Sequence, residues 1–273
     1  MIPNRLIREH LLVEMMMISS VRRDWERIYE DERIARRGCA AKYVPLSKSL
    51  VDSWNEGESI LKSICSNSNQ CTVVDYGCGS FGMTIIPAAR RGLHATGVDI
   101  SARALSLLRN RVKAMKVADK VDLILGSVTA LPIRADIFDA GVCSSVIMHV
   151  DAPRALSEMA RTVRRKGRIW IDSWLNKYHL DNLQVIVAML VFRMLGRKTS
   201  VPLRYYSLRE IKTLLRLNDL KVITIQCSQR LPLPFSYRAI IPKRLKLFST
   251  NRLFRLLSTQ QLAHRFSIVV VRF

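Results

Sequence analysis

The sequence lacks the features that mark several large classes of protein. Its longest uninterrupted apolar run, residues 185–192, is eight residues long, whereas a membrane-spanning helix needs about 20. The N-terminal region has no clean apolar stretch with a small-residue cleavage site, so we expect no secretory signal. The six cysteines include no Cys-x-x-Cys pair, which argues against a structural zinc site and a disulfide framework. We therefore predict no metal and an intracellular, cytoplasmic protein.

Acidic residues are scarce: the chain has 22 Asp and Glu against 44 Lys and Arg, a net charge of +22. Most of this excess lies in residues 176–273, which contain 18 basic and 3 acidic residues, whereas residues 1–70 carry a net charge of only +1. A basic region of this kind attracts RNA or an anionic membrane surface. The alternative is a solubility trait with no specific partner.

The remaining composition is that of a globular protein, with 49% hydrophobic and 24% charged residues, which excludes a disordered chain. We predict three parts. Residues 1–70 form a helical cap, 71–175 a strand–helix core, and 176–273 the second half of a sheet. The last part includes a cap at 176–206 and a basic insertion at 228–264.

Strands and helices alternate after residue 70, which predicts an α/β fold with a doubly wound, mainly parallel sheet. Ser101 is expected to cap a helix that runs to residue 115. Ser207 and Glu210 match a capping box at the start of another helix. Seven strands are predicted, at residues 71–76, 94–98, 121–125, 137–144, 167–174, 220–226 and 266–273.

One motif points to chemistry. Asp75-Tyr76-Gly77-Cys78-Gly79 and the nearby Gly82 lie between a predicted strand and a predicted helix. Glycines there allow a sharp turn and a close approach to a ligand, and a helix N-terminus offers free N–H groups. Asp99 ends the next strand, where a carboxylate can accept both hydroxyls of a ribose. The pattern therefore predicts a nucleoside-bearing cofactor.

Two cofactor classes fit this motif. Gly77-x-Gly79-x-x-Gly82 matches the dinucleotide fingerprint literally. Asp75, two residues before the first glycine, instead suits the methionine amine of S-adenosylmethionine, because an anionic pyrophosphate has no use for a carboxylate. No Tyr-x-x-x-Lys motif is present to serve as a reductase acid. The residues favour the methyl donor and leave a nicotinamide dinucleotide as the weaker alternative.

With these motifs the sequence resembles the class I S-adenosylmethionine-dependent methyltransferases of the type 11 group. The resemblance covers residues 71–175 well and 205–225 less specifically. It rests on segments 75–79, 96–101, 126–133, 138–150 and 156–167. It implies a seven-strand Rossmann-like sheet with an N-terminal helical cap, a basic insertion between the last two strands, and an antiparallel final strand.

The resemblance also implies roles for individual residues. The cofactor would contact Asp75, Gly77, Cys78, Gly79, Gly82, Asp99, Ile100, Ser127, Val128 and Ser144. Two departures from the family pattern bear on affinity. Ser127 stands where an Asp that binds the adenine amino group is common, and Phe81 stands where a third glycine is common.

Candidates for catalysis and substrate contact are fewer. His149 follows the fourth strand and could accept a proton from the acceptor, because the pKa of imidazole lies near neutrality; a packing role is the alternative. Cys143 lacks the Pro-Cys pair of pyrimidine methylation and is interpreted as a buried strand residue. Trp25 and Tyr29 could close over the cofactor as a lid, as N-terminal helices do in this family, or pack on the sheet.

The acceptor stays open between three hypotheses. A small or lipid-like molecule, such as a quinone or isoprenoid head group, is slightly favoured by the apolar segment 183–195 and by the basic amphipathic segment 241–257, which could also lie on an anionic membrane. RNA of the tRNA type is favoured by the basic last third. The third hypothesis is a non-catalytic binding protein that retains the fold.

Overall fold

The computed structural model describes residues 22–27, 29, 48–65, 70–177, 194, 203–228 and 265–273. The chain divides into two compact units, Met1–Ile133 and Arg134–Phe273. The division into 1–70, 71–175 and 176–273 stays a prediction. Most of the 176–206 connection, the apolar segment 183–195 apart from Met194, and the basic insertion after Ser228 lie outside the described residues.

The first unit is built on three parallel strands, β1 (Thr72–Tyr76), β2 (His94–Asp99) and β3 (Val121–Leu125), in the order β3-β2-β1. β1 is almost entirely buried, as a strand covered on both faces should be. The register pairs Asp75 with Gly97 and Asp99 with Leu125. Asp75 and Asp99 therefore both lie toward the carboxyl edge of this sheet.

Three α-helices accompany these strands: α1 (Lys48–Ile64), α2 (Ile85–Arg90) and α3 (Ala102–Ala114). The predicted cap of α3 is confirmed, because the Ser101 hydroxyl accepts a hydrogen bond from the Ala104 N–H at 3.0 Å. A helical segment at residues 22–27 and 29 precedes them, within the predicted cap. We refer to it as the N-terminal helical segment.

Two details of these helices differ from the sequence prediction. A helix was expected from residue 81, but α2 begins at Ile85, because residues 81–84 form a turn in which a Cβ at Gly82 would lie 2.5 Å from Leu108. α1 was expected to break near residues 55–57, yet it is continuous. Its Gly57 fits closely against the next loop: a Cβ there would lie 1.9 Å from the Met83 carbonyl oxygen.

The second unit has a mixed sheet. Its strands are β4 (Phe138–Cys143), β5 (Val163–Asn176), β7 (Leu220–Ser228) and β8 (Arg265–Arg272), in the order β4-β5-β8-β7, with the short β6 (Tyr205–Tyr206) beside β5. β4 and β5 are parallel, and β8 is antiparallel to both of its neighbours, which confirms the expected final strand. Together the described residues contain the seven predicted strands, with β6 as an addition.

The helices of the second unit begin at side-chain caps. The Asp151 carboxylate accepts a hydrogen bond from Arg154 N–H at the start of α4 (Ala152–Thr162). The capping box predicted for α5 (Leu208–Leu217) is present, with Ser207 and Glu210 bonded reciprocally. Hydrogen bonds from Lys177 and then from Ser207 lower the pKa of Glu210 to about 2. The helix start predicted from Ser207 and Glu210 is thus confirmed.

Candidate functional site

The glycine loop that follows β1 folds back onto β2. The N–H groups of Gly77 and Cys78 both donate to the Val98 carbonyl oxygen, at 2.7 and 3.0 Å. Gly77 and Gly79 have φ values of +83° and +57°, in the left-handed region that glycine enters without a Cβ penalty. The loop is therefore fixed beside the carboxyl end of β2, where Asp99 lies.

Asp99 links the loop to the start of α3. Its Oδ2 accepts a hydrogen bond from Gly79 N–H at 2.8 Å, and its Oδ1 accepts one from Ser101 N–H at 2.9 Å. The side chain is buried, and this burial raises its pKa, while the two backbone donors oppose the shift. Ile100 contributes a third backbone hydrogen bond, and a carboxylate has about four acceptor positions, so Asp99 can still accept from a ligand. The structure thus brings the predicted Asp99 and Gly79 into direct contact.

Asp75 is the second buried carboxyl of the site, only 2% exposed. The Thr84 hydroxyl donates to its Oδ2. Burial raises the pKa of Asp75 to about 7; the Thr84 hydrogen bond lowers it and the nearby Asp99 charge raises it further. Thr84 was not identified from the sequence, because a single hydroxyl residue before a helix indicates only a helix cap. In the structure its side chain forms no cap hydrogen bond.

Cys78 and Ser80 occupy the interior of the loop. A Cβ at Gly97 would lie 2.8 Å from the Cys78 sulfur, so this predicted cofactor residue packs its side chain against β2. Burial, followed by the charges of Asp99 and Asp75, raises the pKa of the Cys78 thiol. The Ser80 hydroxyl is fully buried and has no hydrogen-bond partner among the described residues. Such an orphaned buried hydroxyl is uncommon in a folded protein.

The N-terminal helical segment is bonded to the start of α3 through Glu26. Its Oε1 accepts a hydrogen bond from Ala102 N–H at 2.8 Å, and its Oε2 accepts one from the Ser101 hydroxyl at 2.9 Å. A carboxylate at a helix N-terminus also interacts favourably with the helix dipole. Sequence reasoning missed Glu26, because its partners are about 75 residues away and no local pattern marks it.

Tyr29 brings the same segment to the glycine loop. Its hydroxyl oxygen lies 2.9 Å from the position that a Cβ at Gly79 would occupy, and it shares a hydrogen bond with the Ser80 backbone. Burial raises the pKa of Tyr29 well above its ordinary value, with smaller contributions from Asp99 and Cys78. The Trp25 ring lies 6.4 Å from the Tyr29 ring, centroid to centroid. The predicted lid residue Tyr29 therefore contacts the glycine loop from the N-terminal helical segment.

The predicted adenine-binding segment follows β3. Gly126 N–H donates to the Asp99 carbonyl oxygen at 3.0 Å, which holds the segment beside the end of β2. The Ser127 hydroxyl lies 2.8 Å from the Thr129 hydroxyl, and Val128 is buried. Ile100, the remaining predicted contact of this region, is half-buried after β2. The segment is thus joined to Asp99 through the backbone.

The second unit contains the other two predicted residues. Ser144 directly follows β4 and is half-buried. His149 lies in the short 3₁₀-helix Ile147–His149, where its N–H donates to the Val146 carbonyl oxygen at 2.8 Å. Cys143 is fully buried within β4, in keeping with its interpretation as a strand residue.

A polar cluster in the second unit was not anticipated from the sequence. Ser145 and Ser173 have left-handed φ values of +57° and +63°, and their hydroxyl oxygens are 3.2 Å apart. The buried Asp172 accepts hydrogen bonds from the hydroxyls of Ser173 and Ser267, at 2.9 and 2.5 Å, and lies 3.8 Å from the Arg265 guanidinium. Residues other than glycine seldom adopt the left-handed backbone conformation, and the sequence gives little indication of where they do.

Comparison with known proteins places these features in a wider group. Residues 74–171 match the family model described as "Methyltransferase domain". The chain is 29% identical over 157 residues to the ubiquinone biosynthesis O-methyltransferase of Paraburkholderia phytofirmans, an alignment that covers 57% of this chain and 66% of that one. It is 35% identical over 98 residues to the ubiquinone/menaquinone biosynthesis C-methyltransferase of Allorhizobium ampelinum, covering 35% and 37%. Both alignments span less than two thirds of those relatives.

A solved structure shows a similar fold. The geranyl diphosphate C-methyltransferase of Streptomyces coelicolor A3(2), in complex with Mg²⁺, geranyl diphosphate and S-adenosyl-L-homocysteine, superposes with a TM-score of 0.60 at 19% identity. The match covers 86% of this chain and 88% of that one. The predicted Rossmann-like α/β fold is therefore confirmed. In the part of the chain that the structure describes, no helix has the length and apolar content needed to cross a membrane.

Proposed function

Since residues 74–171 match the methyltransferase-domain family model, we propose that the protein is an S-adenosylmethionine-dependent methyltransferase. The observation that carries the proposal is the joining of the glycine loop to Asp99, through the 2.8 Å hydrogen bond from Gly79 N–H. Asp75 lies buried at the same edge of the sheet. The two carboxyls and the loop form the set of groups that a cationic nucleoside cofactor needs.

The residues present fit this cofactor. Asp75 is buried with a raised pKa and Thr84 as its hydrogen-bond donor, so a positively charged amine beside it would stabilise its ionised form. The orphaned Ser80 hydroxyl is a further polar group able to bond a ligand in the loop. A dinucleotide fits less well, because its pyrophosphate would approach two buried carboxyls.

Each residue then has a role in binding. Asp75 would bind the methionine amine of the cofactor, and Asp99 would bind its ribose hydroxyls. The part of the cofactor between these two groups would lie against the backbone of Gly77, Cys78, Gly79 and Gly82. Ile100, Ser127 and Val128 would contact the adenine, and Ser144 would line the site. The bound cofactor would supply an electrophilic methyl group on a sulfonium centre.

Positioning and the exclusion of water account for most of the catalysis in this proposal. Tyr29 and Trp25 would cover the glycine loop as a lid. The N-terminal helical segment that carries them is already bonded to α3 through Glu26. His149 is the candidate for accepting a proton from the acceptor. A strongly nucleophilic acceptor would need no such base.

For the acceptor, a small or lipid-like molecule is the preferred proposal. Two of the relatives that the chain matches are named for ubiquinone and menaquinone biosynthesis, and one structural neighbour is named for geranyl diphosphate. An RNA acceptor is the second proposal, supported by the net charge of +15 in residues 176–273. The same basic residues could instead contact an anionic membrane peripherally. A fold-retaining binding protein without catalysis is the third.

Calorimetric titration with S-adenosylmethionine, S-adenosylhomocysteine and NADH tests the cofactor. We expect micromolar binding of the first two, and a loss of about 100-fold or more in Asp99→Ala, because a buried charged hydrogen-bonding partner of a ligand contributes about 3 kcal/mol. Asp119→Ala, which removes an exposed carboxylate of the same unit, is the matched control and should bind normally. Binding of NADH alone would overturn the proposal.

The dependence on ionic strength then distinguishes the two proposed classes of methyl acceptor. Binding of RNA should weaken steeply as salt rises, whereas transfer of a labelled methyl group to a quinone-type phenol should depend on salt only weakly. Cofactor binding without transfer to either class would favour the non-catalytic alternative.

A further inference from the structure

Two cysteines of the first unit face one another outside the site described above. Cys65 lies just beyond the end of α1, and Cys71 lies just before β1. The Cys71 thiol donates to the Cys65 sulfur, and the two sulfur atoms are 2.7 Å apart. Neither cysteine forms a disulfide bond, and each has 5% of the residue exposed. The two sulfur atoms are thus already near the length of a disulfide bond, about 2.05 Å.

From this geometry we propose that Cys65 and Cys71 are a site of reversible oxidation, in which a peroxide converts the two thiols into a disulfide. The thiolate of one cysteine attacks a peroxide oxygen and breaks the O–O bond, which leaves a sulfenic acid on that sulfur and expels hydroxide. The proton that the thiol had lost converts this hydroxide to water. The second thiol then attacks the sulfenic sulfur and expels a second water. The two sulfurs lose two electrons and two protons, and hydrogen peroxide takes up both.

The other described cysteines are less suited to this reaction. Cys143 is fully buried within β4, and Cys78 is packed against Gly97. Burial raises the pKa of Cys78 and of Cys227, which disfavours the reactive thiolate at each. What distinguishes Cys65 and Cys71 is the second sulfur 2.7 Å away, because their exposed fraction of 5% is no larger than the 6% of Cys78. We therefore expect oxidation to be selective for the pair.

The disulfide would join α1 to the strand that carries Asp75. α1 already contacts the loop after the glycines: Trp54 Nε1 donates to the Phe81 carbonyl oxygen at 3.3 Å, and Gly57 fits against Met83. A covalent bond between residues six apart in sequence restricts the unfolded chain. We expect oxidation to raise the melting temperature by about 5 °C, reversed by dithiothreitol.

Peptide mapping of the full-length protein tests the proposal independently of any methyl transfer. The reduced protein is treated with hydrogen peroxide, denatured, alkylated and digested with trypsin. Cleavage after Lys62 and Arg90 places Cys65, Cys71 and Cys78 in one peptide, 63–90. We expect that peptide to carry three labels before oxidation, and afterwards one label, on Cys78, with two hydrogen atoms lost.

Two variants make the result specific. Cys71→Ser should retain both remaining labels in this peptide after peroxide and should show no thermal shift. Cys227→Ser, the matched control, should behave as the unchanged protein. A bond from either cysteine to Cys78, over-oxidation of Cys65 and Cys71 to sulfinic acids without a bond, or three surviving labels would each overturn the proposal.

Discussion

Two buried aspartates, one in each unit, have opposite surroundings. Asp172 of the second unit has a guanidinium at 3.8 Å and hydrogen bonds from two serine hydroxyls. Asp75 of the first unit has the Thr84 hydroxyl and, nearby, the charge of Asp99. A carboxylate neutralised by its own protein stabilises the fold, whereas one left short of positive charge suits a cationic ligand. The difference therefore separates a structural acid from a binding one.

The comparison is tested most severely by removing the structural acid. Asp172→Ala should lower the free energy of unfolding by about 3 kcal/mol, because it removes the acceptor of Arg265, of the buried Ser173 and of the half-buried Ser267. Chemical denaturation measures this loss. Binding of S-adenosylmethionine to the folded variant should be unchanged, and a selective loss of cofactor affinity would show that the two acids do not differ in this way.

Asp75 should couple cofactor binding to a proton. Its pKa in the folded protein, about 7, lies above the value near 4 of an unfolded aspartate, so the folded state holds the proton more tightly. Stability should therefore fall as the pH rises from about 4 to 7. Binding of a cation at pH 6 should release close to one proton, measured by calorimetry in buffers of different ionisation enthalpy.

The control for this prediction is Asp75→Asn, which keeps the shape and removes the titration. Its stability should be flatter over the same pH range, and it should bind S-adenosylmethionine with no proton release. Equal proton release in both proteins would assign the titration to another group.

Glu26 sharpens the comparison, because it is an acid satisfied by backbone N–H groups. Glu26→Ala should destabilise the contact of the N-terminal helical segment with α3 by about 1 kcal/mol, the typical contribution of a helix cap. Hydrogen exchange at the Ala102 amide should accelerate. Asp24→Ala, a change in the same segment, is the control and should leave that amide unaffected.

Ser127 offers the smallest effect. Ser127→Asp introduces the carboxylate common in the family and should tighten cofactor binding about 3–10-fold through a charge-assisted hydrogen bond to the adenine amino group. Titration calorimetry measures the change. Thr129→Asp, two residues away, is a control in which no gain is expected. Unchanged binding in Ser127→Asp would show that the segment does not contact adenine.

The elements that the sequence predicted well are those with local signals. The caps at Ser101 and Ser207 depend on residues three positions away, and the strand–loop–strand pattern from Asp75 to Asp99 depends on period and on glycine. That the glycine loop and Asp99 share one site followed from topology, since parallel strands bring their carboxyl ends to one edge of the sheet. The direct hydrogen bond between Gly79 and Asp99 was not predicted.

What sequence reasoning missed involves partners far apart or unusual backbone. Glu26 meets Ser101 across 75 residues, and Thr84 turns to Asp75 instead of capping its own helix. Ser145 and Ser173 adopt left-handed conformations although neither is a glycine, so their residue types did not indicate these conformations. The start of α2 at Ile85 was missed because a turn and a first helical turn share the same residue preferences.

The close approach of Gly57 to Met83 has a consequence for the evolution of the chain. Glycine in the middle of a helix is less favourable than alanine by about 1 kcal/mol, yet here a Cβ would overlap a backbone oxygen that cannot move aside alone. Position 57 and the loop at 81–84 are therefore free to change only together. Across a set of homologues, a side chain at the first should coincide with a shortened or displaced loop at the second.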